Sequence, residues 1–321
     1  MMLQMMFRLL AVFLFASSAA ALAATPDIAR RPIELQTAQG TLYGSLLVPR
    51  ADRPVPVVLM ISGSGPTDRD GNNPEAGRND SLKKLALLLA QNNIASVRYD
   101  KRGVATGRKA TPDERDLSVA GYVDDAVAWS AQLKRDPRFG PLVILGHSEG
   151  ALIATLAAQR AGANAVVSLS GSGRPLGEVL REQIGERLPA ELQPRSYQLI
   201  ERLEAGQFDP DVPQPLQVLF RPSVQPYLIS LLRQDPAQAF AALKIPALIV
   251  QGSHDIQVGV GDAQALQRAK PDAQLAIIPG MNHVLRIVPM DLPSQLKSYR
   301  DHNRPLAAEL GRVVVPFIQG L

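Results

Sequence analysis

The sequence predicts an α/β fold with a doubly wound, mostly parallel sheet, an antiparallel amino-terminal hairpin and a helical lid insertion. Strand and helix patterns alternate over most of the chain, which implies parallel strands joined by helical crossovers. Pro56–Ser62 is a continuous apolar run, as expected for a strand buried on both faces. Between Gly171 and Leu243 this alternation stops, and helix-like pieces separated by prolines replace it.

The elements follow in order from their patterns. Two β-like segments, Ile33–Thr37 and Thr41–Val48, meet at a Gln39-Gly40 turn and predict the hairpin. The later strands are apolar runs, and the helices repeat apolar residues at helical spacing. The predicted strands are Pro56–Ser62, Ile94–Tyr99, Leu142–Leu145, Ala165–Ser170, Ala247–Gln251 and Leu275–Ile278. The predicted core helices are Ser81–Asn92, Ser118–Arg135, Glu149–Ala161, Gly261–Ala269 and Pro305–Ile318, and those of the insertion are Val179–Arg187, Glu191–Glu204 and Val224–Arg233.

Composition excludes several classes of protein. The chain has 321 residues, of which 46% are hydrophobic and 20% charged, and it has no cysteine. Intrinsic disorder, disulfide frameworks and cysteine-built metal sites are therefore excluded. The net charge is only +4, and the basic residues are dispersed rather than gathered in a stripe. We therefore expect no nucleic-acid partner.

The chain begins with the pattern of a secretory signal peptide. A weakly positive start precedes the short apolar run Leu9–Ala16, and Ala21-Leu22-Ala23 matches a cleavage site. The apolar run is too short to span a bilayer, so we expect no stable membrane span after cleavage. The predicted organisation is a signal peptide over residues 1–24, core over 25–171, lid over 172–243 and core over 244–321. Export to the periplasm or outside the cell follows from this prediction, whereas the oligomeric state is left open.

The clearest chemical motif is Gly146-His147-Ser148-Glu149-Gly150, between a predicted strand and a predicted helix. A strand, G-x-S-x-G and a helix together define a nucleophile elbow, although the pentapeptide alone also occurs by chance. Ser148 is the predicted nucleophile, at the carboxyl end of the sheet. The backbone N–H of Glu149 begins the helix and is a predicted oxyanion donor.

A serine nucleophile needs a base and a residue that orients the base. Of the four histidines, only His283 lies in the loop directly after the last strand, whereas His302 lies further on in a polar tract typical of a solvated surface, so His283 is the predicted base. Asp255 ends the strand after the insertion and completes the order Ser, Asp, His. Asp262 is its rival, but its place at the start of a helix favours a role as an N-terminal cap or as an acidic residue of the first turn.

The second oxyanion donor should come from the loop after the strand Pro56–Ser62. Its glycines allow close backbone approach, and the N–H of Ser64 is the predicted donor. Asp68, Arg69 and Asp70 in the same loop could by composition form a phosphate or metal cluster. No Walker spacing or nearby histidine ligand supports that reading, so we predict no metal and no cofactor.

Taken together, the motifs resemble the bacterial esterases and serine-aminopeptidase-like hydrolases of the α/β-hydrolase superfamily. The resemblance implies hydrolysis of small-molecule carboxylic esters through an acyl-enzyme, without metal or organic cofactor. One departure is visible: where the family often has G-x-G-x-S after Arg-Gly, this chain has Gly103-Val104-Ala105-Thr106-Gly107. The segments that carry the resemblance are Gly63–Asn72, Arg98–Gly103, Gly146–Gly150, Phe220–Tyr227, Gly252–Asp255 and Asn282-His283.

Two other functions stay open at this point. An aminopeptidase or amidase on the same machinery would need acidic lid residues to bind a substrate ammonium. A catalytically inactive binding protein could keep the fold, since fold alone does not imply activity. The lid offers six glutamates for the first alternative: Glu178, Glu182, Glu186, Glu191, Glu201 and Glu204.

Overall fold

The computed structural model describes residues 27–111 and 113–321, so the signal-peptide prediction for residues 1–24 lies outside the described residues. These residues form one eight-stranded sheet. Its strands are β1 (Ile28–Thr37), β2 (Gly40–Pro49), β3 (Val55–Ile61), β4 (Ala95–Tyr99), β5 (Phe139–His147), β6 (Ala165–Leu169), β7 (Ala247–Gly252) and β8 (Gln274–Ile278).

The strand order is β1-β2-β4-β3-β5-β6-β7-β8. β2 runs antiparallel to both of its neighbours, and all other neighbouring strands of this sheet are parallel. The predicted fold class is therefore confirmed. The chain passes from β3 to β4 on one side and then to β5 on the other, and ligands of such sheets bind beyond the carboxyl ends of the strands at this reversal.

Helices cover both faces of the sheet. Alternate residues of β3 enter opposite faces: Val57 packs with Trp129 in one hydrophobic cluster, and Val58 packs with Leu85 in the other. The helices of the core are α1 (Ser81–Gln91), α2 (Val119–Lys134), α3 (Glu149–Ala161), α9 (Val260–Ala269), α10 (Leu292–Ser298) and α11 (Ala308–Gln319). The first face carries α2, α3 and α9, and the second carries α1 and α11.

The predicted lid segment, residues 172–243, contains helices and no strand. Some of its apolar residues, such as Leu199 and Phe220, form a small cluster of their own, whereas Tyr227, Leu231 and Phe240 belong to the large cluster of the core. None of the described helices is long and apolar enough to cross a membrane. The lid helices are α4 (Leu176–Arg187), α5 (Gln193–Glu204), α6 (Gln217–Phe220), α7 (Gln225–Leu232) and α8 (Pro236–Ala241).

Two helices that the sequence patterns did not predict, α8 and α10, begin with an aspartate followed within two residues by proline. Asp235 accepts the backbone N–H of Gln238, and Asp291 accepts that of Ser294, each at 2.9 Å. Proline in the first helical turn lacks an N–H that would be unsatisfied there anyway. In the sequence these prolines suggest that a helix is interrupted, but in the structure they lie in the first turn of a helix.

The loop after β4 is fixed to α2 by a buried ion pair. Arg102 Nε donates to Asp125 Oδ2 at 2.7 Å, and the two side chains are only 10% and 3% exposed. Further along, Ala105 has φ +42°, although an alanine there strains the backbone. Ala105 thus occupies a left-handed backbone conformation that glycine adopts without strain.

We predict that Asp125→Ala lowers the free energy of unfolding by about 3–5 kcal/mol, because it leaves the Arg102 guanidinium buried without its partner. Asp124→Ala on the same helix is the matched control. Asp124 pairs with Arg160 at 2.7 Å, but both side chains are more than half exposed. Its loss should cost about 0–1 kcal/mol. Urea unfolding measures both values, and equal losses would contradict the account.

Candidate active site

Ser148 lies in a strained turn between β5 and α3. Its φ and ψ are +56° and −125°, and its N–H donates to Leu169 O at 2.9 Å. A Cβ at Gly146 would lie 1.9 Å from Gly150 O, and one at Gly150 would lie 2.4 Å from Ile61 O. Any larger residue at either position would therefore push the elbow apart. The packing of neighbouring backbone keeps Ser148 in its sparsely populated conformation.

Asp255 and His283 form a direct pair at the same edge of the sheet. His283 Nδ1 lies 2.8 Å from Asp255 Oδ2, and both side chains are buried. The other carboxylate oxygen accepts the backbone N–H groups of Gln257 and Val258 at 2.8 and 3.0 Å. Burial opposes ionisation of Asp255, but His283 and these N–H groups outweigh it and lower its pKa. An ionised Asp255 assigns the proton of neutral His283 to Nδ1 and leaves Nε2 as a base.

Ser148 Oγ makes no hydrogen bond within residues 27–111 and 113–321, and the elbow is linked to His283 through His147. His147, its neighbour in the chain, packs its ring against that of His283, with 4.8 Å between the ring centroids. Catalytic hydrogen bonds are often long in unliganded enzymes and tighten only with substrate. The structure thus brings Asp255 and His283 into contact and connects the elbow of Ser148 to them through His147.

His147 is a site residue that the sequence analysis assigned no role. Its Nε2 lies 2.8 Å from His283 O and donates to that carbonyl. Burial and the neighbouring His283 lower the pKa of His147 to about 3, so the ring is neutral. His147 therefore holds the loop of His283 against the elbow. The variable position of G-x-S-x-G gives no signal in the sequence that it contacts this loop.

The two predicted oxyanion donors open on one cavity. Ser64, Ser148 and Glu149 all line it, and a Cβ at Gly63 would lie 3.1 Å from Ser148 Cβ. In the described part of the chain, neither the N–H of Ser64 nor that of Glu149 donates a hydrogen bond. Both N–H groups are therefore available to an oxygen atom bound next to Ser148.

The rival residues have other partners. Asp262 lies in the first turn of α9 and forms an ion pair with Arg174 at 3.0 Å, away from His283. His254 Nδ1 lies 2.6 Å from Val288 O. Asp70 pairs with Arg98, and Asp100 pairs with Arg69. The acidic loop thus makes structural ion pairs, and no cluster of metal ligands occurs among the described residues.

The cavity above Ser148 has a volume of about 710 Å³ and lies between the core and the lid. Its core side includes Leu117, Tyr122 and Leu152, and its lid side includes Val179 and Tyr227. The core and the lid also contact each other at the rim of the cavity. There, Glu114 accepts hydrogen bonds from Arg221 and from Ser223 Oγ of the lid, the latter at 2.7 Å. The site is a cavity with mixed walls, more apolar than polar, in which arginines and glutamates also take part, and its size suits a small molecule.

Comparison with known proteins identifies the relatives of this chain. The model of a family described as the alpha/beta hydrolase family matches residues 58–296. Esterase EstD of Thermotoga maritima is 28% identical over 250 residues, which cover 76% of this chain but only 58% of that protein. The match thus spans less than two thirds of this curated relative.

Solved structures share the fold at low sequence identity. Est1E from Butyrivibrio proteoclasticus, with ferulic acid bound, is 17% identical and has a TM-score of 0.57; the match covers 90% of this chain and 96% of Est1E. The Pyrococcus furiosus esterase Pf2001 is 15% identical and has a TM-score of 0.56; the match covers 91% of this chain and 93% of Pf2001. At these identities the likeness establishes the fold alone.

The lowered pKa of Asp255 leads to a prediction about acid stability. A depressed folded-state pKa contributes stability above the unfolded-state value of about 3.9, and this contribution is lost as the pH falls through the folded value. The unfolding free energy of the wild type should therefore fall more steeply below about pH 4 than that of Asp255→Asn. Urea unfolding of both proteins across this pH range measures the two slopes. Identical slopes would show that Asp255 is not held ionised by its partners.

Proposed function

The chain belongs to the alpha/beta hydrolase family, and we propose that it is a carboxylesterase with Ser148, His283 and Asp255 as its triad. The proposal rests on the occurrence of three features at one place in the fold. A strained serine at an elbow, a free helix N-terminal N–H beside it and a buried Asp–His pair all occur at one edge of the sheet. The esterase relative supports ester hydrolysis as the reaction.

In the proposed acylation, Ser148 Oγ attacks the ester carbonyl carbon and its proton passes to His283 Nε2. Asp255 stays ionised and stabilises the imidazolium. The N–H groups of Ser64 and Glu149 donate to the negative oxygen of the tetrahedral intermediate. When this intermediate collapses, His283 gives the proton to the leaving alcohol and an acyl-Ser148 remains.

Deacylation repeats these steps with water as the nucleophile. His283 takes a proton from the water while the water oxygen attacks the acyl carbon, and the same N–H groups bind the second oxyanion. The proton returns to Ser148 Oγ as the carboxylic acid leaves. Each step uses only side chains, backbone N–H groups and water.

The lid glutamates do not provide the carboxylate that an aminopeptidase needs beside the substrate ammonium. The carboxylates that line the cavity are Glu75, Glu114 and Glu149 of the core, and Glu114 is paired with Arg221. Among the described residues, none of the six lid glutamates lines it. Two of them are paired elsewhere, Glu182 with Arg174 and Glu204 with Arg181. The mostly apolar walls suit the acyl or alcohol group of an uncharged ester.

Export from the cytoplasm remains a prediction from the sequence of the first 24 residues. We propose that the mature enzyme meets its substrate in the periplasm or outside the cell.

A fluorophosphonate probe and a short p-nitrophenyl ester test the proposal. The wild type should be labelled at Ser148 and should hydrolyse the ester. Ser148→Ala and His283→Asn should each lower kcat/KM by about 10⁴-fold or more, because each removes a member of a unit that acts together. His302→Asn is the matched control, since His302 lies in a surface tract, and it should keep full activity. Activity that survives in folded Ser148→Ala would overturn the proposal.

A further inference from the structure

Lys101 is a buried cation that the proposed mechanism does not use. It lies in the loop after β4 and is 1% exposed. Within the described residues, no carboxylate forms an ion pair with its ammonium. Its Nζ instead donates to two successive backbone carbonyls, Gly63 O and, at 3.4 Å, Ser62 O. A buried charge without a counter-ion is unfavourable for stability, so its presence calls for another reason.

The carbonyl that Lys101 contacts belongs to the peptide unit of a predicted oxyanion donor. Gly63 C=O and Ser64 N–H are parts of one planar trans peptide group, in which the oxygen and the hydrogen point in opposite directions. A donor fixed on Gly63 O therefore also fixes the direction of the Ser64 N–H. The same backbone passes beside the nucleophile, since a Cβ at Gly63 would lie 3.1 Å from Ser148 Cβ.

The surroundings of Lys101 keep its ammonium in place. The ring of Tyr122 lies on one side, with its centroid 5.7 Å from Nζ. Burial lowers the pKa of Lys101, and the carboxylate of Glu149 opposes that shift. The other side of the loop is held by hydrogen bonds of its own, from Ser62 Oγ to Thr67 O at 2.9 Å and from Thr67 Oγ1 to Ser64 O at 2.7 Å.

We propose that Lys101 is a positioning residue of the oxyanion hole, and this inference rests on the proposed esterase function. Its ammonium orients the Gly63–Ser64 peptide so that the Ser64 N–H faces the substrate oxygen. Its charge also withdraws electrons through the Gly63 carbonyl, which makes the Ser64 N–H a stronger donor to a negative oxygen. Lys101 itself touches no substrate atom. Its effect is therefore larger in the transition state, where the oxygen is charged, than in the ground state.

The first test is Lys101→Met, which keeps the apolar part of the side chain and removes the ammonium. The kcat for a p-nitrophenyl ester should fall by about 10- to 100-fold, less than the 10²–10³-fold typical of losing an oxyanion donor outright. KM should change little. A trifluoromethyl ketone, which forms a charged tetrahedral adduct, should bind more weakly by the same factor as kcat/KM falls. The plain methyl ketone should bind as before.

Lys134→Met is the matched control. Lys134 Nζ also donates to two successive backbone carbonyls, Ala161 O and Gly162 O at 3.3 and 3.4 Å, but at the far end of α3. This variant should keep the kcat and the ketone affinities of the wild type. Thermal unfolding shows whether both variants fold.

A second variant tests the charge alone. The chain has no cysteine, so Lys101→Cys creates one unique thiol. Alkylation of the unfolded variant with 2-bromoethylamine, followed by refolding, restores an ammonium at the length of lysine. Alkylation with 1-bromopropane gives an uncharged side chain of the same length. The aminoethylated protein should recover most of the lost kcat, and the propylated protein should not.

The outcomes separate this inference from the function on which it rests. If the wild type hydrolyses no ester, or Ser148→Ala stays active, the proposed function fails first. If those results hold but folded Lys101→Met keeps its kcat, the positioning role is wrong. A rise in KM that accounts for the whole loss would also overturn it, as would equal recovery with the propyl group.

Discussion

Ser148 is held in a backbone conformation that residues with a Cβ avoid, and the rest of the site depends on the contacts that hold it there. Those contacts are backbone against backbone: Gly146 against Gly150, and Gly150 against the end of β3. Such packing leaves no freedom for the elbow to relax, because a shift of one strand would move its neighbours in the sheet. Ser148, the proposed nucleophile, is thus fixed in one position, with the loop after β3 packed beside it.

The charges near this elbow are buried and each has fixed partners. Asp255 accepts hydrogen bonds from His283 and from backbone N–H groups, and Lys101 donates to carbonyls of the oxyanion loop. Preorganised charges and dipoles of this kind need no reorientation when a negative oxygen develops. The lid has a hydrophobic cluster of its own, and it also packs on the core through Tyr227, which lines the cavity and contacts Tyr122.

The sequence was sufficient to predict the fold and the strand or loop on which each candidate side chain lies. The elbow stands out because a strand, G-x-S-x-G and a helix follow in immediate succession. The contact of His147 with His283 could not be predicted, because it joins β5 to a loop more than 130 residues later. Lys101 reads as a solvated lysine in a polar loop. Lys101 is buried because the loops that follow the adjacent strands β3 and β4 contact each other. That contact depends on how the two strands pair, which the composition of the loops does not reveal.

The central claim is that acyl transfer passes through Ser148, and the covalent intermediate tests it most directly. The wild type would be mixed with p-nitrophenyl acetate, quenched within milliseconds to seconds, digested and analysed by peptide mass spectrometry. The account predicts one acetyl group on the peptide of the elbow, at Ser148, which forms with the burst of nitrophenol and disappears when the substrate is exhausted. Steady turnover without acetylated Ser148, or acetylation at another residue at the rate of turnover, would contradict it.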